Sequence, residues 1–86
     1  MNYSVEYEPE ALTALDKLTG AVRQRIVNKI EWLAANFDQI TPVPLTANLA
    51  GYFKLRVGDY RVIYGFNVEL KTIAIYQIGH RREIYG

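Results

Sequence analysis

Eight residues, GHRREIYG at positions 79–86, set the chain's single histidine beside two arginines, with a glutamate and a tyrosine close behind. A histidine side chain, with an ordinary pKa of about 6.5, takes or gives a proton near neutrality. Guanidinium groups clamp anionic oxygens bidentately, and a phenol stacks or donates a hydrogen bond. Together these types suit work on a charged oxyanion. Taken singly they are ordinary: His80 reads as a surface histidine, Arg82 and Glu83 as a solvated pair, Tyr85 as a tail residue over the core edge.

Companions come from residues 52–66. In YFKLRV, a period of two sends Phe53, Leu55 and Val57 one way and Tyr52, Lys54 and Arg56 the other. In YRVIYGF, Tyr60, Val62, Tyr64 and Phe66 share a face, leaving Arg61 opposite with Ile63 and Gly65. The short VGD link makes these strands an antiparallel pair and brings Arg61 near Arg56 or Lys54. Gly79 lets the backbone turn, so His80, Arg81 and Tyr85 are expected to aim back across the same outer face. The expected patch holds Lys54, Arg56, Arg61, Arg81 and Arg82, with Tyr52 and Tyr85 among them. Cations interleaved with aromatic rings suit a single-stranded nucleic acid, charge following phosphates and rings stacking on bases. Lys54 and Arg56 would equally serve solubility, and Arg61 could stack on tyrosines beside Asp59.

The elements that must carry this patch are legible in the periodicity. NYSVEYE alternates Tyr3, Val5 and Tyr7 as a first strand. Pro9 suits a helix's first turn, and PEALTALDKL sets Ala11 or Leu12, Leu15 and Leu18 on one face, with Gly20 as its stop. AVRQRIVNKIEWLAANF spaces Val22, Ile26, Ile30, Leu33 and Phe37 by three and four, an amphipathic second helix. DQITPVPLTANLAG breaks every period and reads as a loop. Three strands follow, YFKLRV, YRVIYGF and TIAIYQIG. The predicted fold class is α+β: a strand, a two-helix hairpin and an antiparallel three-stranded meander, in one domain over residues 1–86.

Composition narrows the chemistry. Half of the 86 residues are hydrophobic, enough for a modest core near the small end of independently folding domains. No cysteine and one histidine leave too few soft ligands for a transition-metal site, so no metal is expected. No phosphate-cradling glycine loop, dinucleotide fingerprint or nucleophile elbow is present, so no cofactor is expected either. Glu6, Glu8 and Glu10 alternate as a charged strand edge would. No apolar run approaches a membrane span and no signal peptide is visible, so the chain is expected to be cytoplasmic. The net charge of +1 conceals a split, −2 over residues 1–50 and +3 over residues 51–86. That asymmetry favours a polyanionic partner for the second half.

Two stretches go further. L-x-G-Y-F-K-L-R-x-G-D-Y-R-V-I-Y, residues 49–64, and I-G-H-R-R-E-I-Y, residues 78–85, together resemble the RelE branch of the RelE/ParE toxin superfamily. The resemblance spans nearly the whole chain. It implies a compact microbial-ribonuclease-like fold and a toxin of a type II toxin–antitoxin pair, a ribosome-dependent mRNA endoribonuclease. By that likeness Lys54 and Arg61 contact the scissile region, Arg81 is the arginine after the last strand, and Tyr85 is the terminal tyrosine. The implied reaction is attack of a ribose 2′-OH on the adjacent phosphate, leaving a 2′,3′-cyclic phosphate and a 5′-OH. Two departures stand out: Tyr52 replaces a family lysine, and His80 stands directly before Arg81 where relatives have a slightly longer segment. His80 is therefore expected to contribute acid–base function, and Tyr52, Arg56 and Arg82 to bind RNA. The likeness also implies a cognate antitoxin in a hetero-oligomer, docked on the outer side of the helix pair and a sheet edge, with Trp32 or Phe37 as anchor. Two other readings stay open, a ParE-like gyrase poison and a degenerate antitoxin-binding module.

Overall fold

The computed structural model describes residues 2–83. Strand β1 (Ser4–Tyr7) leads into helix α1 (Pro9–Asp16) and helix α2 (Gly20–Asn36). After α2 come β2 (Val43–Pro44), β3 (Phe53–Val57), β4 (Tyr60–Asn67) and β5 (Thr72–His80). Pro9 starts α1, where its missing N–H is no loss. Gly20 does not close α1 as expected; it opens α2 behind Thr19, whose hydroxyl accepts the Val22 N–H. The end of α1 is held instead by Arg23, which donates to the carbonyls of Leu15, Asp16 and Leu18. One guanidinium thus adds donors to the carbonyls at the end of the helix and locks the hairpin.

The strands form one sheet in the order β1-β5-β4-β3-β2. β3, β4 and β5 are the expected antiparallel meander. β1 lies parallel to β5, Val5 opposite Ile73 and Tyr7 opposite Ile75, a pairing that local pattern cannot announce. The segment read as a loop supplies a fifth, two-residue strand beside β3. Its Pro44 sits at a sheet edge, where a missing donor is tolerated. The helices cover one sheet face. Ile26, Ile30 and Leu33 of α2 and Ala11 of α1 meet Val62, Tyr64, Ile73 and Ile75 in a core that is closed to solvent. Phe37 gathers the aromatic part: its ring lies 4.7 Å from Tyr3 and 4.7 Å from Phe66. On the outer face, Leu45 and Leu49 of the 38–51 segment fold over Ile63 as a second, smaller cluster.

The pairing of β4 with β5 is irregular at one point. Ile63 pairs with Gln77 but Tyr64 pairs with Ile75, so Tyr76 is an extra residue in β5. A bulge of this kind reverses the side-chain alternation beyond it. Ile73 and Ile75 face the core, and so does Ile78 three residues on.

No helix of the described residues is long and apolar enough to cross a membrane. Two measurements test the core. Phe37→Ala should cost about 3–5 kcal/mol in urea unfolding, since it removes a ring from a packed cluster; an unmoved midpoint would show that the aromatic contacts are dispensable. Burial also pushes the Tyr64 hydroxyl from the ordinary 10.0 up to about 12. The folded chain therefore keeps this phenol neutral while the unfolded chain ionises, and stability from it, whole below pH 10, should decline as pH rises towards 12. Tyr64→Phe should flatten that decline in alkaline denaturation curves.

Candidate functional site

The outer sheet face carries two cross-strand rows. Arg56 of β3 lies opposite Arg61 of β4, which lies opposite Gly79 of β5. The neighbouring row runs Val43, Lys54, Ile63 and Gln77. The turn between β3 and β4 makes this arrangement compact. Gly58 adopts a φ of +59°, as the first position of a two-residue hairpin loop requires, and its carbonyl accepts from Arg56 Nε at 3.2 Å. Arg81 reaches the same turn. Its backbone N–H donates to the Asp59 carbonyl at 2.8 Å, and its Nε lies 3.9 Å from Asp59 Oδ1. Arg81, distant in sequence, thus joins Arg56 and Arg61 about one hairpin turn, with Lys54 one row away.

The bulge decides which terminal residues join them. Strict alternation from Ile73 would send His80 to the outer face. With one residue inserted, Gly79 takes the outer side and His80 faces the helices. His80 pairs with Tyr60, the two rings 5.4 Å apart edge to face, and Tyr60 packs against the core. The expectation that His80 aims across the basic face is therefore corrected. Its ring lines a cleft of about 610 Å³ beside α1, together with Glu10, Lys17 and Glu83. There it holds a turn: Nδ1 accepts the Arg82 N–H at 3.2 Å, while the His80 N–H donates to Glu83 Oε1 at 3.2 Å. The Glu83 N–H closes the turn on the His80 carbonyl at 2.8 Å.

Arg82 is exposed, and Tyr85 lies outside the described residues. Tyr52, also exposed, turns its ring edge towards Tyr76 at 5.0 Å between centroids. Tyr76 and Gln77 do not stand out from sequence. A signal for them exists all the same: an isoleucine pattern stepping 73, 75, 78 breaks period two at the inserted residue. Of the two expected anchors, Phe37 is buried and unavailable, whereas Trp32 stands 44% exposed with Lys29 Nζ 3.9 Å from its ring centroid. Among the described residues no group of acids and histidine could hold a metal ion.

Over residues 5–85 the sequence matches the family described as ParE toxin of type II toxin-antitoxin system, parDE. This chain belongs to that family. Toxin RelG of Mycobacterium tuberculosis (strain ATCC 25618 / H37Rv) is 31% identical to it over 85 residues, covering 99% of this chain and 98% of the relative. A chain of the toxin–antitoxin complex RelBE2 from M. tuberculosis has the same fold, with a TM-score of 0.84 at 29% identity over 94% of this chain and 93% of that one. The archaeal RelE–RelB complex from Pyrococcus horikoshii OT3 contains another, with a TM-score of 0.75 at 27% identity over 98% and 100% of the two chains. The expected superfamily and α+β fold are thus both found.

The turn that presents Arg81 in this toxin depends on a bare imidazole nitrogen. In the neutral imidazole, ¹⁵N-edited long-range spectra should place the His80 proton on Nε2 and leave Nδ1 bare; the opposite tautomer would mean that the Arg82 N–H contact does not exist in solution.

Proposed function

We propose that this toxin is a ribosome-dependent mRNA endoribonuclease, held inactive by a cognate antitoxin. The observation that carries this reading is the convergence of Arg56, Arg61 and Arg81 about the β3–β4 turn, with Lys54 in the adjacent row. Such a row of cations suits a single RNA strand laid across the sheet. The likeness to Toxin RelG and to chains of RelBE2 and RelE–RelB complexes supports the toxin role and the antitoxin partner.

In the proposed reaction the ribose 2′-oxygen attacks the adjacent phosphorus and the bond from phosphorus to the 5′-oxygen breaks. A proton leaves the 2′-hydroxyl and one arrives on the departing 5′-oxygen, giving a 2′,3′-cyclic phosphate and a 5′-OH. Negative charge grows on the non-bridging oxygens, and fixed cations stabilise it without reorganising. Arg61 and Lys54 take that role, and Arg81 clamps the phosphate through its fork of donors. Arg56, Arg82 and Tyr52 bind the flanking strand, and Tyr85 orients the 2′-hydroxyl or stacks on a base. His80, on the helix side, is the weaker candidate for proton transfer and the better one for holding Arg81 in place. With no strong base on the cationic face among the described residues, a ribosome that fixes the message in line for attack becomes a requirement.

The antitoxin is proposed to cover the outer side of the helix pair, with Trp32 as an anchor, in a toxin–antitoxin hetero-oligomer within the cytoplasm. Coupled folding of such a segment would give a wrapped, regulable contact. The family's own description favours a second reading, a ParE-like poison of DNA gyrase acting by binding alone.

The experiment is to add the full chain to a translating extract and map mRNA 5′ ends, beside a gyrase supercoiling assay. Cuts inside translated codons are expected, and Arg61→Ala should lower the single-turnover rate on programmed ribosomes by about 10²–10³-fold. Intact message with trapped gyrase would transfer the protein to the second reading. Neither result would leave an antitoxin-binding module without activity.

A further inference from the structure

Beside the arginine rows lies a groove of which the proposed reaction uses only Tyr52. It has a volume of about 420 Å³, and its lining includes Tyr52, Tyr76, Ile63, Gln77, Glu8 and Glu10. The bulge completes it. Tyr76, already outward in the alternation that turns Ile73 and Ile75 to the core, is joined on the outer face by Gln77, and the Tyr76 ring lies over Gly65. A Cβ on Gly65 would stand 3.1 Å from Tyr76 Cε2, so a side chain at 65 would push the ring by a few tenths of an ångström or more. The groove is continuous with the cationic face, because Gln77, Ile63 and Lys54 form one cross-strand row and Arg56, Arg61 and Gly79 the next.

We propose that this groove is a nucleobase subsite, taking one unpaired base, guanine by preference, from the strand whose phosphates lie on the arginine row. The proposal rests on the ribonuclease reading and names the specificity element of that same face. Charge separates the two halves of a nucleotide. The carboxylates of Glu8 and Glu10 repel phosphate from the groove, whereas the arginines attract it one row away, so the strand enters base first. Tyrosine rings supply stacking surface for any base. The carboxylates and the amide supply the choice. Ionised carboxylates only accept hydrogen bonds, and guanine alone among the four bases offers two adjacent donors, N1–H and the N2 amine, on its Watson–Crick edge. The Gln77 amide can donate to the O6 beside them. Adenine and cytosine place a ring acceptor next to their amine, and uracil flanks its one N–H with carbonyls; each sets a lone pair against a carboxylate. A bulge that re-aims a side chain next to a reacting face is a recurrent device.

The test reads a ratio within one reaction. Ribosomes programmed with messages carrying each of the four bases beside the cut are treated with the full-length toxin, and cleavage at guanine is divided by cleavage at the other bases. The parent should favour guanine. Tyr76→Ala and Gly65→Val, the second pushing the Tyr76 ring without substituting any groove residue, should each reduce that preference about tenfold, while Tyr76→Phe keeps it. In parallel, guanosine and adenosine 5′-monophosphates are titrated into labelled parent toxin, with guanosine monophosphate expected to shift the Ile63, Tyr76 and Gln77 amides selectively. Cleavage without base preference, or a preference unmoved in both variants, overturns the subsite and leaves the nuclease standing. A parent that cuts nothing yet binds guanosine monophosphate at those amides sustains the subsite and removes the nuclease. No cleavage and no selective binding remove both.

Discussion

A single inserted residue in β5 sets the relation between the core and the cationic face. β1 and β4 both use β5 as their neighbour, so its phase is shared across the sheet. Before Tyr76 the strand delivers Ile73 and Ile75 to the helices; after it, Ile78 and His80 take that side. The same inversion sends Gly79 to the outer face, where a bare backbone lies beside Arg61. Without the bulge, an isoleucine would meet solvent and the chain's histidine would stand among three arginines. The cost of one unpaired position in the ladder is offset by keeping the apolar side of the strand against the helices along its whole length.

Function is divided by the sheet. Its helix-facing side holds the aliphatic and aromatic core and, at the end of β5, a turn in which His80 and Glu83 fix each other through backbone donors and acceptors. Its outer side holds the charges. There the polarity runs along the surface, arginines about the β3–β4 turn and carboxylates near the start of α1, with tyrosines between. A strand of nucleic acid carries matching polarity, anionic along its backbone and apolar or hydrogen-bonding at its bases. The Arg81–Asp59 contact, exposed and 3.9 Å long, adds little to stability. What it does is keep a long side chain near the turn, which in the proposed reaction lowers the entropy to be lost on clamping a phosphate.

Much of this architecture is legible in the residues. Leu15, Ile26, Ile30 and Leu33 announce amphipathic helices because a helix repeats every 3.6 residues whatever surrounds it. Phe53, Leu55 and Val57 announce a half-buried strand for the same local reason. The nearness of Lys54, Arg56 and Arg61 follows from alternation plus one short turn, VGD, and the register sets them in adjacent rows. The role of Gly20 is not legible in the same way, because a glycine between two helices can end one or begin the other. Arg23 makes the choice, reaching back from the second helix to the carbonyls of the first.

Sequence by itself determined the element types, the inward residues of β3 and β4, and the charged face of that hairpin, since each depends on neighbours a few positions apart. Tertiary structure decided the rest. The parallel seat of β1 on β5, the return of Leu45 and Leu49 over Ile63, and the meeting of Tyr52 with Tyr76 join residues far apart in the chain, where no local period reaches. The side on which His80 lies was settled by the bulge, because a one-residue insertion reverses every later side chain while leaving the local propensities unchanged.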